Sequence, residues 1–322
     1  MSNVVPFNNF SLSFLIEGTS YPALKDIDLE IKKGAVTALI GESGCGKSAL
    51  ALSLIGLPAE NAKTEGKIIF KDRDLLTYSE KEWRTIRGDS IAMIFQEPLT
   101  ALNPLMRCGE QVLENLMRHS KISKKEGKEV VLKMLSRTGL HDVSRIYNSF
   151  PHQLSGGQRQ RIMIAMAFIN HPDLIIADEM TTALDVTVQA EIISLLREMS
   201  REDDTSVLLI THNLALVKNI ASYIYIMYAG VICEEGEREA VLLTPKHPYT
   251  KALLGSIPSK EKRGLPLQSI KGSVPSLESR PQEGCPFAPR CPYSKSICFN
   301  SFPKKMGDKE HSLFCFYEET LC

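Results

Sequence analysis

The sequence predicts an α/β protein built around an open, mainly parallel sheet. Two observations indicate this class: apolar runs of strand length alternate with segments of helical periodicity, and four such runs end directly in polar residues. In a sheet of this kind the ligand lies beyond the carboxyl ends of the strands, so these residues are the first candidates for a site. The polar groups at the strand ends are Gly41, Gln96, Asp178–Glu179 and Thr211–His212.

Composition restricts the possible function classes. The 322 residues suffice for one large domain or two modest ones. Because 38 Lys and Arg balance 38 Asp and Glu, the chain has no net positive charge that would indicate nucleic-acid binding. No apolar run approaches the roughly 18 to 20 residues that span a bilayer. The polar N-terminus lacks the pattern of a secretory signal. We therefore expect a cytosolic protein that, if it acts at a membrane, acts from outside the lipid.

The N-terminal part predicts strands around one helix. Residues 24–32 alternate apolar and charged side chains, as in a half-buried strand, and residues 35–40 form an apolar run of strand length. Residues 49–57 are apolar with helical character and stop at Pro58. Residues 66–70 predict one more strand.

The middle of the chain is predicted to be mostly helical, from residue 79 to about 170. Residues 91–95 interrupt it as a short buried strand. Apolar side chains at helical spacing predict helices at 109–119 and 124–137, and residues 159–170 are apolar nearly all round, as in a buried helix.

The following segment returns to strands. Residues 174–177 and 207–210 predict two buried strands, with an amphipathic helix at 188–201 between them. Residues 223–228 and 231–233 predict a hairpin.

The proline-rich tail, from about residue 245 to 322, is predicted to be irregular. In a cytosolic protein the cysteines of this tail indicate a bound metal before disulfides. A segment with little hydrophobic core needs such a cross-link for stability. Four thiolates suit a tetrahedral zinc ion as well as an iron–sulfur cluster, and spacing alone does not choose between them. The tail cysteines are Cys285, Cys291, Cys298, Cys315 and Cys322, the last interpreted as a bystander.

A complete phosphate-loop pattern follows the strand at 35–40. The glycine N–H groups of such a loop wrap phosphates, Lys47 supplies a charge to the β- and γ-phosphates, and Ser48 would ligate Mg²⁺. Cys45 stands at a variable position and is interpreted as filler. The candidate nucleotide-binding residues here are Gly41, Glu42, Ser43, Gly44, Cys45, Gly46, Lys47 and Ser48.

Asp178 and Glu179 close an apolar strand, which favours a catalytic pair over a solvated acidic turn. Asp178 is suited to hold Mg²⁺ through its water shell, and Glu179 to take a proton from the attacking water, a contribution of about 10²- to 10⁴-fold. Gln96 could sense the γ-phosphate and ligate Mg²⁺, and His212 could contact the γ-phosphate and orient Glu179. A lone glutamine or histidine is more often structural, so these two assignments depend on their spacing.

A second anion-binding turn is predicted at the start of the 159–170 helix. Two adjacent glycines expose backbone N–H groups where the helix dipole favours an anion. Alone, such a run is usually an ordinary turn that leads into a helix. The residues are Leu154, Ser155, Gly156, Gly157 and Gln158.

These motifs, in this order over about residues 10–235, resemble those of an ATP-binding cassette (ABC) transporter subunit. The resemblance implies a P-loop nucleotide-binding domain with a mainly parallel sheet, an antiparallel β subdomain and a helical subdomain at about 79–165. It also implies that ATP lies between two subunits, the phosphate loop of one facing the Leu154–Gln158 signature of the other, which explains two anion sites in one chain.

The same resemblance assigns three further positions. Ala183–Asp185 would lie at the dimer seam, with Asp185 among the nucleotide-binding residues, and Tyr21 would stack on adenine. Met180 replaces the proline usual after the catalytic glutamate, which is expected to alter the rigidity of that turn and leave its chemistry in place.

A narrower resemblance connects the chain to ABC importers for dipeptides, oligopeptides and nickel. It rests on residues 96–104, 181–189 and 247–254, and on the tail run Gly284-Cys-Pro-Phe-Ala-Pro-Arg-Cys-Pro292. Importers with this tail bind a [4Fe–4S] cluster, with Zn²⁺ as the alternative metal here. The cluster ligands implied by the resemblance are Cys285, Cys291, Cys298 and Cys315.

The resemblance thus implies an ATP-hydrolysing motor for peptide import, with an ABC ATPase domain at 1–243 and a tail domain at 244–322. The implied partners are a second, related ABC ATPase subunit, two transmembrane permease subunits and an extracytoplasmic substrate-binding protein, with the chain peripheral at the cytoplasmic face of the cell membrane. Alternatives are the same motor for nickel or a metal chelate, a soluble ABC ATPase of DNA repair or translation, and a non-hydrolysing regulatory cassette. The lack of sustained heptads disfavours the soluble ATPase, and intact Glu179 and His212 disfavour the regulatory one.

Overall fold

The computed structural model describes residues 3–181, 184–257 and 270–317. The strands are β1 (Asn3–Ile16), β2 (Thr19–Lys32), β3 (Val36–Ile40), β4 (Ala62–Phe70), β5 (Arg73–Asp74), β6 (Ile91–Ile94), β7 (Leu174–Asp178), β8 (Ser206–Thr211), β9 (Tyr223–Tyr228), β10 (Val231–Glu237), β11 (Lys305–Gly307) and β12 (His311–Phe314). The helices are α1 (Lys47–Leu54), α2 (Glu80–Ile86), α3 (Pro98–Ala101), α4 (Cys108–His119), α5 (Lys124–Arg137), α6 (Val143–Asn148), α7 (Gly156–Phe168), α8 (Val186–Glu202), α9 (Leu214–Val217), α10 (Arg238–Leu243), α11 (Pro248–Gly255) and α12 (Ser296–Asn300).

The chain divides into two compact units. The core unit comprises Val5–Ile31, Thr37–Leu76 and Ile210–Cys322. The helical unit comprises Met1–Val4, Lys32–Val36 and Thr77–Leu209. In the part of the chain that the structure describes, no helix is both long enough and apolar enough to cross a bilayer.

The core unit contains strands of two β-sheets. One sheet has the order β2–β1–β4–β5, with β4 antiparallel to both β1 and β5. In the other, β11, β12, β10, β9 and β3 follow one another; β3 is parallel to β9, and the remaining pairs are antiparallel. The sheet is therefore mixed. Sequence patterning does not predict β1, because a register shift between Asn8 and Ser11 interrupts its alternation.

The tail is more regular than the sequence predicts. It contains α11, α12, β11 and β12, and β12 pairs with β10 over Glu234↔Leu313 to Gly236↔His311. Beneath this pairing the buried Glu234 carboxylate lies 2.6 Å from His311 Nε2 and accepts the backbone N–H of His247 at 3.0 Å. Strands this short are stabilised by their partner strand, and local sequence carries little signal for such pairing.

The helical unit packs α4 to α8 around buried aliphatic side chains. Helices α4 and α5 occupy the predicted segments almost residue for residue, and a Ser123–Glu126 capping box begins α5. Strands β6 and β7 are parallel, with Ile94 opposite Ala177. The carboxyl ends of these two strands therefore lie side by side.

Candidate functional site

The phosphate loop connects β3 to α1 in the core unit, as predicted. Gly46 precedes the helix with φ 114°, a backbone conformation that favours glycine. A Cβ on Gly41 would lie 2.3 Å from the carbonyl oxygen of Met227, and one on Gly46 would lie 2.7 Å from Leu24 Cδ2. Close packing against a backbone oxygen thus requires glycine at position 41, and backbone conformation requires it at position 46.

The polar side chains of the loop have distinct environments. Lys47 is buried, and its Nζ donates to the carbonyl oxygens of Gly41 at 2.9 Å and Glu42 at 3.0 Å. Ser43, Gly44 and Ser48 are exposed.

Cys45 is fully buried, and its Sγ lies 3.9 Å from Lys47 Nζ. Burial raises the pKa of this thiol, and the Lys47 charge opposes that rise only in part. Cys45 is therefore an apolar filler of the loop and a poor nucleophile.

Two further predicted residues lie in the core unit. Tyr21 is partly buried on β2, and His212 is exposed directly after β8. Beside His212, the Thr211 hydroxyl accepts the backbone N–H of Asn213 at 3.0 Å and shapes the turn into α9.

The parallel pairing of β6 and β7 brings Gln96 and Glu179 together in the helical unit. Gln96 Nε2 donates to Glu179 Oε2 at 3.4 Å. Asp178 is buried at the end of β7, and Glu179 has φ 43°, the left-handed region that few non-glycine residues adopt. Backbone conformations of this kind cluster at functional sites. Met180, predicted to alter this turn, is buried.

The signature turn begins α7 with reciprocal capping. The Ser155 hydroxyl accepts the Gln158 backbone N–H at 3.3 Å, and Gln158 Oε1 accepts the Ser155 N–H at 3.0 Å. A Cβ on Gly156 would lie 3.2 Å from Leu184 Cδ2, and one on Gly157 would lie 3.1 Å from Val188 Cγ1. The glycines therefore also permit close packing within this unit, which sequence reasoning missed.

Asp185 caps α8, because its Oδ1 accepts the Val188 N–H at 3.0 Å. Of the predicted seam loop, Ala183 lies outside the described residues.

Four cysteines of the tail surround one pocket in the core unit. The pocket encloses about 330 Å³ of empty space, part of it open to solvent, and His247 and Phe287 also line it. Among the described residues, no group of three or more His, Cys, Asp or Glu side chains is arranged to hold a single metal ion. The four cysteines are Cys285, Cys291, Cys298 and Cys315, all with free thiols; Cys322 lies outside the described residues.

The backbone around this pocket is tightly fitted. Cys285 N donates to Cys298 O at 2.7 Å, and a Cβ on Gly284 would lie 2.6 Å from the same oxygen. Burial, reinforced by the neighbouring thiols, raises the pKa of Cys285 to about 12. Without a metal this sulfur is therefore a neutral thiol at physiological pH.

The structure also shows contacts at the phosphate loop that sequence reasoning missed. Arg290 forms a two-pronged ion pair with Glu42, at 2.6 Å to Oε2 and 3.2 Å to Oε1. Arg280 donates to the carbonyl oxygen of Gly44 at 2.6 Å, and the Tyr249 hydroxyl accepts the Glu42 N–H at 3.1 Å. The tail motif contains Arg290, but nothing in its spacing indicates a partner 248 residues away.

The phosphate loop, the carboxylates that end β7 and the glycine turn that begins α7 define an ATPase of the ATP-binding cassette class. Comparison with known proteins gives the family. The chain belongs to the ABC transporter family, in its dipeptide and oligopeptide branch: the family described as ABC transporter matches residues 24–182, and the oligopeptide/dipeptide transporter C-terminal region matches residues 233–298.

Two curated relatives extend over nearly the whole chain. The chain is 46% identical over 322 residues to the dipeptide transport ATP-binding protein DppD of Bacillus subtilis, covering 99% of this chain and 96% of that protein. It is 41% identical over 309 residues to the oligopeptide transport ATP-binding protein OppD of Salmonella typhimurium, covering 96% and 92%.

Among solved structures, the ATP-binding cassette MJ0796, a dimer in a post-hydrolysis state bound to ADP and Pi, matches with a TM-score of 0.65. It is 30% identical and covers 73% of this chain and 98% of that chain. The predicted α/β class with P-loop ATPase architecture is thus confirmed.

Proposed function

We propose that this chain is the ATP-hydrolysing motor subunit of an importer of peptides. The observation that carries the proposal is the likeness to DppD and OppD over nearly the full chain, including the C-terminal region. The ABC transporter family couples ATP hydrolysis to transport. Residues 1–243 form the ATPase domain in this proposal, and residues 244–322 form the domain typical of peptide importers.

The phosphate loop binds the ATP phosphates. Its backbone N–H groups and Lys47 face the β- and γ-phosphates, with Tyr21 against adenine. Hydroxyl, amide and carboxylate oxygens are the donors that Mg²⁺ prefers, and Ser48, Gln96 and Asp178 supply them. What supports the loop assignment is its glycine-dependent shape between β3 and α1.

Glu179 acts as the general base toward the attacking water. Two observations support this assignment: the carboxylate contacts Gln96 at the ends of β6 and β7, and the Glu179 backbone is left-handed. His212 is the candidate partner of the γ-phosphate. With Gln96 and Glu179 it completes the proposed catalytic set.

The signature turn acts on the ATP of a partner subunit. Ser155, Gly156, Gly157 and Gln158 begin a 13-residue helix, and its N-terminal dipole favours the γ-phosphate. Asp185 belongs to the same proposed interface.

The four cysteines of the tail hold a [4Fe–4S] cluster, which supplies a covalent cross-link between distant parts of the tail. The donor chemistry suits it, because four thiols surround one pocket. Four thiolates would suit Zn²⁺ as well, and the resemblance to importers with this tail is what favours the cluster.

The partners are two membrane permease subunits, a substrate-binding protein outside the membrane and a second ABC ATPase chain related to this one. This chain lies at the cytoplasmic face of the membrane and binds no nucleic acid. The exposed Leu99 and Leu105 follow Gln96 on a segment that is available to contact the permease subunits.

The test is a Glu179→Gln variant in the transporter assembled in membranes. ATP binding is expected to persist, while phosphate release falls by at least about 10²-fold. Glu191→Gln, at an exposed carboxylate of the same unit, is the matched control and is expected to be unchanged. Hydrolysis at the wild-type rate in Glu179→Gln would refute the assignment.

Cargo is tested by uptake of a labelled dipeptide, a labelled longer peptide and ⁶³Ni²⁺ in cells that lack or carry this chain. Peptide uptake that depends on Glu179 supports the proposal, and nickel uptake alone would replace it by metal import.

The cluster is tested by anaerobic purification with visible absorption and iron analysis, which is expected to give a brown, iron-loaded protein. A colourless protein loaded with zinc would remove the cluster and leave the motor assignment in place.

A further inference from the structure

We propose that Arg290 and Arg280 of the tail are positioning residues for the phosphate loop, so that order in residues 284–291, the cysteine turn, sets the affinity of the loop for nucleotide. This inference rests on the proposed function, because it assigns ATP to that loop. Every contact that carries it lies within the core unit.

Arg290 neutralises a carboxylate within the phosphate loop. The Arg290 side chain is 8% exposed and the Glu42 side chain is 25% exposed, so the pair is partly shielded from water. Without Arg290, Glu42 would place a negative charge in the loop that receives the ATP phosphates. The pair thus removes a repulsion that would otherwise oppose binding.

Arg280 holds the loop backbone. It donates to Ala23 O at 2.8 Å and to Gly44 O at 2.6 Å, joining the loop to strand β2. In a trans peptide the C=O and the following N–H point in opposite directions, so fixing the Gly44 carbonyl also fixes the direction of the Cys45 N–H. The Cys45 N–H donates to the carbonyl oxygen of Glu42 at 3.3 Å, so Arg280 holds the turn of the loop that this bond closes.

The cysteine turn determines where Arg290 lies. Residues 284–291 carry two of the pocket cysteines, and the fully buried Phe287 lies between them. The centroid of the Phe287 ring lies 5.2 Å from the ring centroids of both Tyr228 and Tyr249. Tyr249 also accepts the Glu42 N–H. One compact turn thus carries the cysteines, an aromatic anchor and the arginine that reaches the loop.

The test is equilibrium binding of a fluorescent ATP analogue to the full chain, in a Glu179→Gln background that blocks turnover. Arg290→Met is expected to weaken binding about tenfold, because Glu42 is left unpaired. Glu42→Gln removes the charge that Arg290 neutralises, so the double variant is expected to regain binding to within about threefold of Glu42→Gln alone. Arg238→Met, at a half-buried arginine of the same unit that pairs with Glu239, is the control and is expected to bind as the parent does.

Several outcomes decide the matter. Equal binding of the analogue by Arg290→Met and Arg238→Met would overturn the proposal. A loss of binding that Glu42→Gln does not restore would also overturn it, because Arg290 would then act only on folding. If Arg290→Met does not fold, Arg290→Gln removes the same charge and keeps a polar side chain, and the same rescue criterion applies to it. A parent chain that binds no ATP analogue would refute the proposed function instead.

Coupling to the cysteine turn has its own readout. Cys291→Ser is expected to weaken analogue binding when Arg290 is present and to add little in the Arg290→Met chain. Fully additive losses would show that the cysteines act by another route and would overturn this part of the proposal.

Discussion

Replacing Gly157 by aspartate tests whether the signature turn serves the nucleotide of another subunit. In the isolated chain the change is small. A Cβ at this position lies 3.1 Å from Val188 Cγ1, so the valine must give by a few tenths of an ångström. An acidic side chain in the first turn of α7 gains about 0.3 to 1 kcal/mol from the helix dipole, which offsets this strain. We expect thermal stability and ATP binding of the isolated chain to stay near those of the parent.

In the assembled transporter the effect is expected to be large. A carboxylate about 4 Å from a γ-phosphate oxygen, in a partly shielded site, opposes closure by about 3 to 4 kcal/mol, which corresponds to roughly 10²- to 10³-fold in turnover. Gly157→Ala adds the same Cβ without the charge and is the matched control. It is expected to keep most of the activity.

The assay compares ATP binding by each isolated chain with phosphate release by each assembled complex. If Gly157→Asp abolished ATP binding by the isolated chain, the turn would act within its own subunit. If the assembled complex hydrolysed ATP normally, the turn would not face phosphate. Either result would refute the reasoning.

Three further changes separate packing, capping and protonation. Gly41→Ala puts a Cβ 2.3 Å from a β9 carbonyl and is expected to abolish ATP binding and lower the melting temperature. Gly44→Ala meets nothing within 4 Å and carries only the backbone strain of an alanine at φ 79°, so it is expected to be milder in both assays. Ser155→Ala removes a helix cap worth about 1 kcal/mol and is expected to lower turnover as well as stability, whereas Ser123→Ala, at an equivalent cap on α5, should lower stability alone; equal turnover in both would contradict a role at nucleotide. Burial lowers the pKa of His247 to about 4 from 6.5, so its contribution to stability is present above pH 6.5 and is lost as pH falls toward 4, by up to about 3 kcal/mol. His247→Asn keeps a capping oxygen that does not titrate, so its unfolding free energy should depend less on pH, and an unchanged pH dependence would refute this assignment.

The sequence predicts the parts of the molecule whose signals are local. The phosphate loop is recognisable because strand, glycines, lysine and helix are contiguous, and the structure places it between β3 and α1. The proximity of Gln96 and Glu179 follows from a rule about strand ends, although 83 residues separate them.

What the sequence does not reveal depends on tertiary partners. Strand β12 is four residues long and is stabilised by β10, so its own pattern is too short to predict it. The packing role of Gly156 depends on a side chain from the segment before α8. Likewise, nothing near Glu42 indicates an arginine from the tail.

The distance along the chain between Glu42 and Arg290 has a consequence for biosynthesis. At about 5 to 20 residues per second, a ribosome finishes the 248 residues between them in roughly 12 to 50 s. During that interval the nascent chain displays its phosphate loop without the arginines that hold it. A message truncated before codon 280 would encode every nucleotide motif and neither arginine. Such a product is expected to bind ATP poorly, because both arginines that hold the phosphate loop would be absent.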